Sequence, residues 1–449
     1  MPLVVTLYVI LVAIAAFGPL RWSFAAFVLL AAVDFPGSRT SVGILNAIRG
    51  IVLPIYLLWR LRGYSGHRKI IVAPIAWGLL TVYAGIAAGW SLFPLSALKL
   101  VGQMTGSLLI CLVFVRATKA GYITAKIVLP VTIGALAIAC LQNLFYPNWT
   151  GEIGRFTGFT TAQAYAAFLA ALFCLTLCSS SLKLPVRIAL SVALTVALWM
   201  NGSRIWFVGI IIAALVAFAA SYVRIWIKIC VIGGAFIALA VSIEQRAEVI
   251  KWIDEAAASN RVAAAVAAAY EGDVHSWWLG TLNFRRTVDN VALARIESFS
   301  LSELVFGRGT CNGAMITGSM FRGYAGLGDP NRMMHNEWLR VMYEWGIIGM
   351  LLWCMFLGSI AIFAFQGVRR DKSGQARALL AYLPAFLVAL AGENFLAGAG
   401  AAMTMGFLLL IGIAAISHRV RPVRAFDSIE QAWLLDSRIR GRLTATQAG

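Results

Sequence analysis

Pro330-Asn331-Arg332-Met333-Met334-His335-Asn336-Glu337-Trp338-Leu339 runs on to Gly346-Ile347-Ile348-Gly349. This stretch joins the longest polar segment of the chain to one of its most apolar ones. Pro330 suits a first helical turn and Asp329 before it is a good N-cap. The pattern therefore predicts a helix that starts in water and continues into hydrocarbon, with His335 in its first two turns. A titratable imidazole at such a boundary, near a helix N-terminus, is suited to moving protons beside an anion. On this stretch alone, a boundary histidine bonded to its own loop is the plainer reading. Gly346 and Gly349 read as small residues that let the helix pack closely on a neighbour.

Outward from this stretch the chain is apolar. Of its 449 residues 61% are hydrophobic and 12% charged, with a mean hydropathy of +0.83. Soluble proteins carry about twice that charged fraction. Apolar runs of near-spanning length recur from 3–18 to 402–417, which predicts an all-α, polytopic integral membrane protein. The count is twelve or thirteen crossings, because the first two runs (3–18 and 22–34) are short enough to form one crossing plus a re-entrant piece. The run from Val4 to Phe17 lacks a basic flank and a small-residue cleavage site, so it reads as retained membrane segment.

The distribution of Lys and Arg sets the orientation. Arg60, Arg62, Arg68, Lys69, Arg116, Lys119, Lys126, Lys183, Arg187, Arg224, Lys228 and the Arg369 to Arg377 group fall on alternate connections. With the basic tail, they hold most of the 37 basic residues. By the positive-inside rule these connections and the C-terminus are cytoplasmic. The net charge of +18 is thus a topology signal rather than a nucleic-acid footprint. The expected organisation is helices over 1–243, a loop domain over 244–336, helices over 337–417, and a cytoplasmic tail over 418–449. The loop is nearly neutral, with nine basic and ten acidic residues. It predicts helices over Arg246–Tyr270 and Asn283–Phe299, the second with an apolar face of Val288, Val291, Ala292, Ile296 and Phe299. Trp277-Trp278 fit either an interfacial anchor or a sugar-stacking surface.

Arginines on the side opposite the basic connections stand out. Arg155 lies in one outer connection, and Arg204 opens a span after the turn Asn201-Gly202-Ser203. Arg285, Arg286, Arg308, Arg322 and Arg332 lie in the large loop. Guanidinium forks bind phosphate oxygens bidentately and keep their charge, which suits a diphosphate or other acidic headgroup. Snorkelling or pairing with a nearby carboxylate is the plainer reading of each. Arg49, Lys99 and Glu393 are charges within or near spans, where such groups face polar cavities. Arg285 and Asp289 stand one helical turn apart. Of seven cysteines six lie in apolar runs, and Cys311 lies alone in the loop. Cys174 and Cys178 read as packing rather than ligation. There is no Asp-x-Asp pair, no His- or Cys-rich ligand set, no P-loop and no dinucleotide fingerprint. The expectation is metal-independent chemistry without a cofactor.

The order of these motifs resembles the O-antigen ligase and O-antigen polymerase superfamily of bacterial membrane glycosyltransferases. It runs Arg155-Phe156-Thr157-Gly158, Ser203-Arg204, Arg285-Arg286-Thr287, Gly307-Arg308-Gly309, then His335-Asn336-Glu337-Trp338-Leu339 through Gly346 and Gly349. The resemblance covers roughly Gly151 to Met350. It implies an inner-membrane enzyme whose large loop and active site face the periplasm. The donor would be a glycan on undecaprenyl diphosphate, and the acceptor a sugar on lipid A–core or on another lipid-linked repeat. By resemblance His335 is the general base, Arg204 and one of Arg285 or Arg286 bind the diphosphate, and Arg155 is a third binder. The doubled arginine leaves that choice open, with Arg286 favoured by its following Thr287. Asn336 and Arg308 join Lys99, Arg49 and Glu393 as cavity or acceptor candidates. The family's proline ahead of the Gly-x-Gly element is replaced here by Ser302-Glu303-Leu304-Val305-Phe306. The chemistry is coherent: arginines neutralise the leaving diphosphate, and the base assists a weakly acidic hydroxyl. Attack opposite the diphosphate inverts the anomeric centre, and nearby arginines lower the histidine pKa so that it is neutral. A transporter or flippase for a lipid-linked or acidic substrate, with Arg49, Lys99 and Arg204 lining its path, is the alternative. No repeated half of the kind transporters carry is visible in the sequence.

Overall fold

The computed structural model describes residues 2–33, 47–63, 72–123, 125–149, 155–221, 274–320, 334, 336–370, 374–392, 395 and 402–415. These residues are helical, with a single isolated bridge between Val33 and Phe159 in place of any sheet. The helices are α1 (Pro2–Phe17), α2 (Leu20–Leu29), α3 (Leu53–Arg60), α4 (Val72–Ala87) and α5 (Pro94–Lys119). Then come α6 (Val128–Phe145), α7 (Ala162–Cys178), α8 (Leu184–Asn201) and α9 (Arg204–Ala219). The loop contributes α10 (Val274–Glu297), α11 (Leu301–Phe306) and α12 (Ala314–Met320). The chain returns to apolar helices with α13 (Glu337–Arg370), α14 (Gln375–Ala389) and α15 (Ala402–Ala414).

Among the described residues five helices are long and apolar enough to cross a membrane: Val72–Trp90, Pro94–Lys119, Val128–Phe145, Leu184–Asn201 and Glu337–Arg370. Six further apolar helices among the described residues are shorter. Hydrocarbon offers no hydrogen bonds, so a chain of this composition satisfies its backbone within each helix. The two N-terminal runs form separate helices joined by a tight turn, where Ser23 Oγ donates to Gly18 O at 2.9 Å. The expected run at 229–243 and the helix over 246–270 lie outside the described residues, as does the tail.

Connections that the charge pattern assigns to one side touch others of that side. At the basic end Arg60 Nη1 donates to Ala16 O at 2.9 Å, and Arg116 Nη2 to Arg62 O at 3.1 Å. At the opposite end Ser91 Oγ donates to Thr310 O at 2.6 Å, and the Glu337 N–H to Leu390 O at 2.9 Å.

The centre of the bundle is α7, whose residues are buried on every side, as befits a helix apolar all round. Small residues permit close crossings. A Cβ on Gly209 would fall 3.1 Å from the Ala385 Cβ, and one on Gly406 2.9 Å from that of Ala171. Aromatic rings fill the space between α4, α13, α14 and α15. Phe386 stacks on Phe407 at 4.2 Å, and Trp77 meets Phe356 at 4.7 Å.

Two expectations for the opening stretch change. The helix begins at Glu337, and Met334 and Asn336 lie outside it. The reason is local: Asn336 Oδ1 accepts from the N–H groups of Trp338 (3.1 Å) and Leu339 (3.3 Å), so Asn336 is the cap. Gly346 is a close contact and also a break: a Cβ there would fall 2.6 Å from Val305 O and 2.7 Å from Leu304 O of α11, and its φ 61 and ψ −158 lie in a region open essentially to glycine alone. The carbonyls freed by the break are taken up from outside the helix. The Arg308 N–H donates to Tyr343 O at 3.0 Å, the Gly309 N–H to Glu344 O at 2.9 Å, and Tyr83 Oη to Trp345 O at 3.3 Å. The Gly307-Arg308-Gly309 element is thus a strap over the kink. Gly349 makes room for the Trp345 side chain of its own helix, whose Cβ lies 2.1 Å from where a Gly349 Cβ would stand.

Candidate functional site

The loop helix α10 docks by the face expected of it. Val288 and Ala292 are buried with Ile316, Met334 and Tyr343, while Val291, Ile296, Phe299 and Leu339 pack around them. The helix itself starts earlier than the periodicity suggested, at Val274. Docking this face fixes where the next turn of polar residues falls.

Three arginines from three segments gather at the turn that links α8 to α9. Gly202, at φ 73, closes α8 in the left-handed conformation that a C-terminal glycine supplies. Arg155 Nη2 donates to the Gly202 carbonyl at 3.4 Å, and its guanidinium lies 3.2 Å from where a Gly202 Cβ would stand. The segment bearing Arg155 is tied down by Asn201. The Asn201 Nδ2 donates to Phe156 O (2.6 Å) and Ala162 O (3.0 Å). Arg204 is the first residue of α9. Immediately after it, the Ile205 side chain and Arg285 Nη1 both come within 2.9 Å of the position of a Gly392 Cβ. Arg204 therefore sits in the chain between the glycine that Arg155 touches and the isoleucine that Arg285 neighbours. Two glycines, Gly202 and Gly392, leave the space that two guanidiniums occupy. Between the doubled arginines the packing discriminates: Arg285 is half-buried beside Gly392, whereas Arg286 is exposed.

One turn beyond Arg285, Asp289 Oδ2 accepts from Asn336 Nδ2 at 3.2 Å. Its carboxyl is raised above the ordinary value by burial, against which the Asn336 hydrogen bond and the Arg285 charge pull it down. Asp289 was legible only as an i, i+4 partner of Arg285; its partner across the loop was not. His335 and Glu393 lie outside the described residues. Both chain neighbours of His335 are held by α10: Met334 in the apolar cluster and Asn336 by Asp289.

Of the remaining candidates, Arg308 and Arg49 have structural partners. Arg308 pairs with Glu303 at 3.0 Å and lies over the rings of Phe299 and Tyr343. Arg49 is buried, and its Nη1 donates to Leu30 O (3.3 Å) and Val33 O (3.4 Å) at the end of α2. Lys99 is exposed on the first turns of α5. Its charge reaches Cys311, a loop thiol pushed up to about 12 by burial and by Glu344, with Arg340 and Lys99 opposing.

Beneath the site lies an ion network that the sequence reading passed over. Arg340 Nη1 reaches Glu337 Oε1 at 3.2 Å, and its Nε reaches Glu344 Oε1 at 3.4 Å, with all three side chains fully enclosed. Glu337 Oε1 also accepts from the Phe395 N–H (3.0 Å), and Glu344 Oε1 from the Gly313 N–H (3.1 Å). The network thereby ties the start of α13 to the end of α14 and to the loop. Among the described residues no group of three His, Cys, Asp or Glu side chains is arranged to hold a metal ion.

No protein-family model matches the chain, and no curated protein matches it. What fold and site define is the coarse class: an all-helical chain with membrane-length apolar helices, carrying an arginine cluster at the end opposite its basic connections.

Proposed function

We propose that this chain is a membrane glycosyltransferase of the O-antigen ligase or polymerase type, working at the periplasmic face of the bacterial inner membrane. The observation that carries the reading is the approach of Arg155 and Arg285, from distant segments, to the two ends of the turn that launches Arg204. Like charges gather in this way where an anion of several charges is to be held. Undecaprenyl diphosphate bearing a glycan is such an anion, with its lipid in the bilayer and its phosphates at the surface.

In the proposed reaction an acceptor hydroxyl attacks the anomeric carbon and the bond from that carbon to the diphosphate oxygen breaks. His335 takes the hydroxyl proton, and Arg155, Arg204 and Arg285 offset the charge left on the diphosphate. Attack from the opposite face inverts the anomeric centre. No metal or cofactor is assigned a part. The tail over 418–449 is cytoplasmic in this arrangement, and membrane lipids surround the bundle.

The test is reconstitution of the purified protein with undecaprenyl-diphosphate glycan and either lipid A–core or a second lipid-linked repeat. New glycosidic product that disappears in inserted His335→Ala supports the proposal. Glycan on lipid A–core marks a ligase and elongated lipid-linked product a polymerase. Wild-type product levels in His335→Ala would sink the assignment of the base, and translocation of lipid-linked glycan without a new bond would support a flippase.

A further inference from the structure

Resting on that reading, we propose that Asp289 is a positioning residue which fixes Asn336, the residue after His335, to the helix that carries Arg285. The argument begins with the Asn336 side chain. Its Oδ1 is committed to two backbone N–H groups, those of Trp338 and Leu339. The amide group therefore cannot turn over, and its Nδ2 must face the other way. There it meets Asp289 Oδ2 at 3.2 Å. An asparagine in this position needs an acceptor, and the chain supplies a half-buried carboxylate.

The carboxylate comes from α10, the same helix that carries Arg285 one turn earlier and buries Met334 through Val288 and Ala292. One rigid element thus fixes the residue before His335, the residue after it and one of the diphosphate-binding arginines. Asp289 is the polar half of that grip and the apolar cluster is the other half. A displacement of about 1 Å between a base and its substrate costs on the order of 10²-fold in rate, so the hydrogen bond is expected to act on turnover rather than on donor binding.

The two partners permit an exchange. Asn336→Asp keeps a good capping group but removes the donor and sets two carboxylates face to face. Adding Asp289→Asn restores one donor and one acceptor with their places swapped. In reconstituted protein, Asp289→Ala and Asn336→Asp are each expected to lower kcat by about 10- to 100-fold. The donor KM should stay within about threefold, and the double variant Asn336→Asp/Asp289→Asn should recover most of the lost kcat. Amide exchange at Trp338 and Leu339 reads the same seating without turnover, rising in both single variants and falling back in the double. Turnover lost in His335→Ala yet unchanged in Asp289→Ala overturns this proposal alone, as does a double variant no better than the worse single. Wild-type turnover in His335→Ala overturns the transferase reading and with it the catalytic part of this one, while the exchange data still report the seating.

Discussion

Arg340 and Arg285 carry the same guanidinium, and their surroundings differ. Arg340 is enclosed between two carboxylates, Glu337 and Glu344, each of which also accepts a backbone N–H. Arg285 is half-buried, stands against a glycine, and shares its end of the bundle with Arg155 and Arg204. One arginine is neutralised in place and fastens three segments together. The other three stand where the bundle meets its loop. A buried cation surrounded by acceptors has its charge already answered; Arg285 has Asp289 one turn away and is half-buried, open in part to solvent. The lesson is that the function of an arginine here follows from what lines it, more than from its depth.

The comparison is broken most sharply at Arg340. Arg340→Met strips the guanidinium from two enclosed carboxylates, and removing one partner of a buried pair costs about 3–5 kcal/mol. The expected result is a large loss of folded protein in detergent, read by thermal unfolding, regardless of whether any donor is present. Replacing the three together, Glu337→Gln with Arg340→Met and Glu344→Gln, removes the stranded charges and should return most of that stability. If Arg340→Met unfolds like the wild type and instead loses donor binding, the two arginine classes have been assigned the wrong way round.

Arg285 and Arg286 test the other half of the comparison. Loss of a charge-stabilising group aimed at a developing anion costs about 10²-fold, so Arg285→Ala should lower kcat/KM for the lipid-linked donor by that order. It should leave the thermal midpoint close to the wild type. Arg286→Ala removes an exposed side chain, for which changes within about 0.5 kcal/mol are usual, and should leave both measurements unchanged. Gly202→Ala is the next largest effect. It forces a non-glycine residue to hold φ 73 and sets a methyl group 3.2 Å from the Arg155 guanidinium. The left-handed conformation alone costs about 1–2 kcal/mol, and the displaced Arg155 should raise the donor KM in the same steady-state assay. A raised KM in Gly202→Ala that vanishes when Arg155→Ala is already present would locate the effect in that contact.

Much of this was legible in the chain, for identifiable reasons. The apolar runs and the apolar face of α10 follow from periodicity, which burial enforces directly. That Arg155 and Arg204 fall at the bundle end away from Lys183 and Arg187 follows from alternation of charge along the connections. That Arg285 is half-buried beside Gly392 while Arg286 is exposed did not follow, because it depends on a residue over a hundred positions away. The start of α13 was misplaced because Asp329-Pro330 and Asn336 both suit a helix start, and the Asn336 cap on Trp338 and Leu339, with its contact to Asp289, is visible only in the fold. The ion network was passed over since three charges at the head of an apolar helix look like a solvated turn. Nothing in a linear reading brings Gly313 and Phe395 to them. Gly346 was read as a packing residue and does pack closely on α11; the break there was not legible because sequence gives no φ angle, and the strap of Gly307 to Gly309 takes up the carbonyls it frees.

The smallest expected effect lies in that strap. Glu303 completes a capping box with Ser300 at the head of α11 and pairs with Arg308. Its carboxyl is held below the ordinary 4.5, first by the Ser300 backbone N–H, then by the Ser300 hydroxyl, with the Arg308 charge adding to them. A carboxyl lowered in the folded state stabilises it above the unfolded value, and the contribution fades as pH falls through the folded one. Protection of the α11 amides, taken relative to their intrinsic exchange rate at each pH, should therefore be constant near neutrality and fall as pH drops below about 4.5. Glu303→Gln should show the lower protection already at neutral pH and flatten that fall. Because Arg308 is answered by Glu303, its class is that of Arg340 rather than Arg285, and Arg308→Ala should disturb α11 while leaving the donor KM where it was. A clear rise in donor KM would move Arg308 into the cluster instead and widen the diphosphate site toward the kink.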